Sequence, residues 1–244
     1  MAKTPSKKET AKAARPRPVR PRPVRWAVKW AVRAVGVAIV LVALWIGAYA
    51  VLPVPSTLYI QSEVRRLGGV DYEWVPVDDI APVMLRSVVA AEDANFCNHW
   101  GFDVAAIREA IDDGGRRGAS TISQQTVKNA FLWHGRSWPR KGLEALMTPA
   151  IEAAWSKRRI LEVYLNIAEF GEGIFGVEAA ARNYFRVGPE DLTADQAALL
   201  AAILPSPKTR NAAHPGRFTR NRAIQIRSGA QTIAADGRAA CFED

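Results

Sequence analysis

Little in this chain can be cross-linked, repeated or ligated to a soft metal. Its 244 residues include two cysteines, Cys97 and Cys241, and three histidines. Two cysteines permit one disulfide at most, and no His/Cys cluster of the kind that holds zinc is present. No internal repeat and no β-meander pattern appear, so helical periods dominate. Outside one segment the chain as a whole carries no net positive charge. Residues 1–33 hold 11 Lys or Arg against Glu9 alone, so the net charge of +9 leaves the remaining residues at −1. A nearly neutral main domain argues against nucleic-acid binding, which expects a basic face on the folded part.

What is there begins with that tail. Arg15-Pro16-Arg17-Pro18 and Arg20-Pro21-Arg22-Pro23 block helix formation and repel one another, which predicts disorder or polyproline II. The tail reads most simply as a topology and lipid-charge signal. Residues 34–52 then run without a charge until Pro53 and Pro55. A helix of that length spans about 28 Å, the thickness of a bilayer core. Trp26, Trp30 and Tyr49 stand where interface anchors stand. The competing reading is a cleaved signal peptide, but Pro53-Val54-Pro55 is a poor cleavage site. An uncleaved single-pass anchor with a cytoplasmic N-terminus follows from the positive-inside rule. In an exported domain the cysteines either form one bridge, pinning the C-terminus near Glu92, or stay as two thiols.

The expected organisation is a tail (1–33), a transmembrane helix (34–52), a connector (53–81) and a mainly α domain (82–244). Helices are predicted from Pro82 to Ala91, from an Asp103 cap to Ile111, from a Ser120 cap to Phe131, and from Pro139 to Trp155. Further ones run from Lys157 to Ile167, Gly176 to Tyr184, Thr193 to Leu204, and onward from Pro215-Gly216.

Glu92-Asp93 closes an apolar helix. Adjacent carboxylates at a helix end point in different directions, so one can enter a cleft while the other is structural. A carboxylate in a partly desolvated cleft gains proton affinity and can act as a general base. On residues alone, a surface acid pair is the plainer reading. Residues 116–159 carry nine Lys or Arg against Glu144 and Glu152. Such a cluster in a neutral domain points to an anion, a pyrophosphate or a lipid headgroup.

Four ordered segments resemble the family 51 glycosyltransferases, and within them the monofunctional biosynthetic peptidoglycan transglycosylases. The first carries Glu92, Asp93, Phe96, His99 and Gly101. The second carries Gly118, Ser120, Thr121, Ile122, Gln124, Gln125, Lys128 and Asn129. The third is Arg140-Lys141-Gly142-Leu143-Glu144, and the fourth runs from Lys157 through Glu162 and Asn166 to Tyr184-Phe185. The chain has no Ser-x-x-Lys, the transpeptidase nucleophile motif of the bifunctional group.

The resemblance implies a mainly α, lysozyme-like domain with a small membrane-proximal subdomain on one N-terminal transmembrane helix. It implies polymerisation of lipid II into β-1,4-linked glycan with inversion and release of undecaprenyl diphosphate. Glu92 is then the base, and Glu144 the second carboxylate, positioning cations or a divalent metal. Lys128, Arg136, Arg140 and Lys141 face the pyrophosphate, while Ser120, Thr121, Gln124, Gln125 and Asn129 contact phosphate or sugar. Asp93, Phe96, His99 and Gly101 support. No cofactor is demanded, although a magnesium or manganese ion near the pyrophosphate is compatible. Implied partners are lipid II, the growing strand, inner-membrane lipids and the cell-wall synthesis machinery, with no nucleic acid. The implied location is the bacterial inner membrane, catalytic domain in the periplasm. Residues 110–140, with Phe131, Leu132, Trp133 and Trp138, are expected either to dip into headgroups or to pack as ordinary core. A lytic glycan-cleaving enzyme and a non-catalytic membrane scaffold are the alternatives. Lys128, Arg136 and Arg140 oppose the first, since glycan cleavage needs no pyrophosphate site.

Overall fold

The computed structural model describes residues 23–114, 118–135 and 137–243. Residues 1–22 of the tail expected over 1–33 lie outside the described residues, as do Arg116, Arg117 and Arg136. The chain divides into two compact units, one ending at Leu44 and one spanning Trp45–Asp244.

The described part of the first unit is one helix, α1 (Pro23–Tyr49), which runs on into the second unit. It starts well before Ala34, because Pro23 is tolerated in a first turn and Trp26 to Arg33 continue without a breaker. Val35, Ile39 and Leu41 are exposed, and Val24–Tyr49 is long and apolar enough to cross a membrane. The helix ends at Tyr49 rather than Leu52. Its last carbonyls have found side-chain donors, as helix ends require. Trp155 Nε1 donates to Ile46 O at 2.9 Å and Arg159 Nε to Tyr49 O at 2.9 Å. Arg159 also donates to Leu52 O. Tyr49 is not an exposed anchor: it packs on Trp45 and Phe131.

In chain order the second unit holds α2 (Leu58–Leu67), β1 (Asp71–Tyr72), α3 (Pro82–Glu92), α4 (Val104–Asp112), α5 (Ile122–Phe131), α6 (Trp138–Ala154) and α7 (Lys157–Ile167). It continues with β2 (Glu169–Gly171), β3 (Ile174–Phe175), α8 (Val177–Phe185), α9 (Ala194–Ile203), α10 (Arg217–Ala235) and α11 (Ala240–Glu243). The fold is mainly α, and side-chain caps set its helix starts. Asp103 accepts from Ala106 N at 2.9 Å, and Thr193 forms a capping box with Gln196. At α5 the cap is Thr121 rather than Ser120, because Thr121 has Gln124 at the position that returns a bond to the cap.

Residues 53–81 are folded structure rather than a connector. Val54 is fully buried, α2 packs on α5, and Tyr72 donates its hydroxyl to Val54 O. β1 pairs parallel with β3, which pairs antiparallel with β2, giving the order β1-β3-β2. This sheet was not predicted. Its strands are too short for alternation to show.

The core forms where α3, α9 and α10 pack together and where α5 meets α6 and α7. Ile160, Leu161 and Leu165 on α7 are fully buried, as their spacing implied. Cys97 and Cys241 form a disulfide with Cα atoms 5.7 Å apart. It holds α11 against the segment after Glu92. Phe242 there is fully buried with its ring 6.4 Å from that of Phe96, a burial worth about 1.5–3 kcal/mol. Arg158 fixes the same turn by donating to Phe242 O at 2.8 Å.

Candidate active site

The two carboxylates at the end of α3 do diverge. Asp93 turns inward and is buried. Its Oδ2 accepts from Ile122 N, the first residue of α5, at 2.9 Å, and its Oδ1 lies 2.8 Å from His99 Nε2. It therefore joins α3 to α5 and satisfies an N-terminal helix donor. Glu92 turns toward a cavity of about 450 Å³. Its Oε2 accepts from Gln125 Nε2 at 3.0 Å, leaving Oε1 for an incoming donor. Burial pushes the Glu92 carboxyl up. The Gln125 hydrogen bond, Arg222 and Lys128 pull it back, and Asp93 adds to the rise. This is the electrostatic setting of a base poised nearer neutrality.

The supporting residues behave as their types suggest. Phe96 is fully buried with Lys157 Nζ 4.5 Å from its ring centroid. Lys157 also donates to His99 O and Glu152, fastening the loop from the far side. Gly101 has φ +85°, and a Cβ there would meet Thr148 Cγ2 at 2.6 Å, so only glycine fits. Thr121 and Gln124 are occupied by the fold. The Thr121 hydroxyl donates to Gly101 O at 2.7 Å, and Gln124 Oε1 accepts from Thr121 N at 3.1 Å. Ser120 lines the cavity, and Asn129 is half-buried one residue beyond Lys128.

Three expected cations come together beyond Ser120. Arg140 and Glu144 are buried, 8% and 3% exposed, and Arg140 NH1 donates to Glu144 Oε2 at 3.2 Å. Lys141 binds the other Glu144 oxygen and reaches Ser120 Oγ at 3.5 Å. Arg140 Nε has no hydrogen-bond partner among the described residues. Lys128 is half-buried, and no described side chain pairs with its ammonium. Burial pushes it below the usual lysine range, Glu144 and Glu92 raise it, and Arg140 and Lys141 lower it further. Ser137, Trp138, Arg140 and Lys141 line a second cavity of about 260 Å³.

One wall of the Glu92 cavity was not anticipated. Arg210, Phe218 and Arg222 line it, contributed by the segment after α9 and by α10. Arg222 donates to Ala91 O at 3.1 Å, while its Nε has no partner among the described residues. The Arg210 guanidinium lies 4.9 Å from the centroid of the Phe218 ring, which is 65% exposed. The signal was available only as the cluster Arg217, Arg220 and Arg222 at the start of the last long helix.

The side chains do not suit a resident divalent cation. Glu144 has one oxygen on Arg140 and the other on Lys141, and no group of three His, Cys, Asp or Glu among the described residues could hold a metal. Such an ion would need most of its oxygen ligands from a phosphate.

The family described as Transglycosylase matches residues 61–230. A biosynthetic peptidoglycan transglycosylase of Jannaschia sp. (strain CCS1) is 61% identical over 214 residues, covering 88% of this chain and 90% of its own. One from Rhodospirillum centenum is 49% identical over 213 residues, covering 86% and 92%. One from Yersinia pseudotuberculosis is 53% identical over 184 residues, covering 68% and 76%.

Proposed function

The chain belongs to the transglycosylase family and is a peptidoglycan glycosyltransferase, and on that premise we propose that it polymerises lipid II with Glu92 as the base. One observation carries the reading. A half-buried carboxylate with a free oxygen opens into a cavity that Arg210 and Arg222 also line, and Lys128 and Arg222 both act on its charge.

Glu92 Oε1 takes the proton of the acceptor's 4-hydroxyl. The freed oxygen attacks the donor's anomeric carbon opposite the pyrophosphate. The new β-1,4 bond forms as the bond to the phosphate oxygen breaks, inverting the centre. Negative charge then grows on the leaving undecaprenyl diphosphate. Lys128 and Arg140 supply fixed positive charge for it, with Lys141 beside them and Arg136 as a further cation. Glu144 holds Arg140 and Lys141 in place. Thr121 and Gln124 shape the start of α5, and Ser120 and Asn129 offer polar groups near the substrate. No step runs through a metal ion.

The single-pass anchor is retained on this reading. Ile46 is buried in the folded unit and Tyr49 packs on Phe131, so cleavage near residue 50 would remove core. A cytoplasmic tail and an exported catalytic domain follow from the charge of that tail, and the inner membrane and periplasm from the family resemblance. Trp133 and Trp138 are exposed and suit headgroups, whereas Phe131 and Leu132 are core. Transpeptidase activity is absent from this reading.

The test is polymerisation of labelled lipid II by the full chain, with Glu92→Gln alongside. Penicillin-insensitive glycan strands that disappear in the variant support the proposal. Cleavage of preformed glycan without polymerisation overturns it.

A further inference from the structure

We propose that Tyr164, buried in α7 and out of reach of any substrate, is a positioning residue that acts through Gln125 to hold a hydrogen bond on the Glu92 carboxylate. The inference rests on Glu92 being the base. It gives Gln125 a task other than binding sugar or phosphate.

The geometry is a chain of three side chains from three helices. Tyr164 donates its hydroxyl to Gln125 Oε1 at 3.3 Å, and Gln125 Nε2 donates to Glu92 Oε2 at 3.0 Å. The same Nε2 faces Ser120 O at 3.4 Å. A half-turn of the amide would set Oε1 against a carboxylate and a carbonyl, both acceptors. It would also strand the Tyr164 proton. Tyr164 is 1% exposed and has no other acceptor among its hydrogen bonds, and an unmatched buried donor is costly. The core therefore dictates which end of the amide meets the base.

The charges facing Glu92 come from every side. Lys128 on α5 and Arg222 on α10 favour the carboxylate, Asp93 on its own helix end disfavours it, and Arg210 lines the same cavity. Among these, Gln125 is the direct donor to the carboxylate. Burial keeps the Tyr164 hydroxyl protonated well beyond its ordinary range, so it stays a donor while the enzyme works. Removing the hydroxyl takes away one of the three contacts that fix the amide, so Nε2 is held less firmly on the carboxylate. The carboxylate then loses stabilisation, and the pH below which the base is protonated moves up.

The experiment is the pH dependence of kcat and KM for lipid II polymerisation by the full chain, for wild type, Tyr164→Phe, Gln125→Leu and the double variant, with melting temperatures. Losing a hydrogen bond to a charged group should move the acidic limb of Gln125→Leu up by about one pH unit. Tyr164→Phe, which keeps the ring, should move it by about half a unit, with kcat down by up to about threefold on the acidic side and KM within about twofold. The double variant should match Gln125→Leu alone, because the two act in series. An unmoved limb in Tyr164→Phe, or additive shifts in the double variant, overturns the proposal. Should Tyr164→Phe fold poorly, Gln125→Leu decides: an unmoved limb there also overturns it. Full activity in Glu92→Gln would instead remove the reading beneath, a separate result.

Discussion

The two sides of the cleft are built on different terms. Around Glu92 the polar groups other than Arg222 Nε and His99 Nδ1 answer one another: Asp93 with His99 and Ile122, Gln125 with Tyr164 and Glu92, Thr121 with Gly101 and Gln124. Around Lys128 and Arg140 charge is left over. Among the described residues Arg140 Nε has no partner and Lys128 no counter-ion in contact, and Trp138 beside them is 89% exposed. A base must be held at a defined angle to a small moving proton, so rigidity serves it. A pyrophosphate brings its own charge and many oxygens, so the protein can leave donors waiting and let the ligand complete the site.

Removing the base should sharpen that contrast most. Glu92→Gln is expected to lower kcat by about 10²–10⁴ while the melting temperature holds, read by lipid II polymerisation and thermal unfolding. On the cation side, Lys128→Met should cost about 10²–10³ in kcat without loss of stability, because a desolvated charge leaves. Wild-type activity should also fall on the alkaline side below the ordinary lysine range, since the pKa of Lys128 is depressed and its charged form is lost as pH rises. Glu144→Gln should behave otherwise. It leaves buried Arg140 without its counter-charge, so stability should drop by about 3–5 kcal/mol along with activity, seen in denaturant melts. Equal stability for the Glu144 and Lys128 variants would break the comparison. Asp93→Ala should cost about 1–3 kcal/mol, with activity falling through misplacement of α5. The smallest effect belongs to the α4 cap. Asp103→Ala should cost about 1 kcal/mol. Backbone donation from Ala106, then Asn95, depresses the Asp103 pKa. Its contribution is therefore complete above the unfolded value and is lost as pH falls through the folded one.

Much of this was legible locally. Pro82, Asp103 and Thr193 announce their helices because a cap acts within four residues. Glu92 and Lys128 could be singled out by the resemblance, and the divergence of Glu92 from Asp93 by helix geometry. What escaped was set at long range. β1 pairs with β3 more than 100 residues on, and neither is long enough to carry a pattern. Helix α2 has a cap at Thr57 and a left-handed stop at Gly68, yet Glu63, Arg65 and Arg66 conceal its apolar stripe. Arg210, Phe218 and Arg222 reach Glu92 only because α3, α9 and α10 pack together. Ser120 and Thr121 compete for one cap, and Gln124 decides between them from inside the helix.

The Cys97–Cys241 bond has a topological consequence. It closes a ring that contains α4 to α10 and leaves α1, α2 and α3 outside. Glu92 therefore sits on the open chain, while Lys128, Arg140 and Arg222 sit within the ring. One cut inside it, at an exposed arginine such as Arg220, opens the circle but releases no fragment. After that cut the base and its cations travel as a single molecule until a reductant releases the piece that carries Arg222.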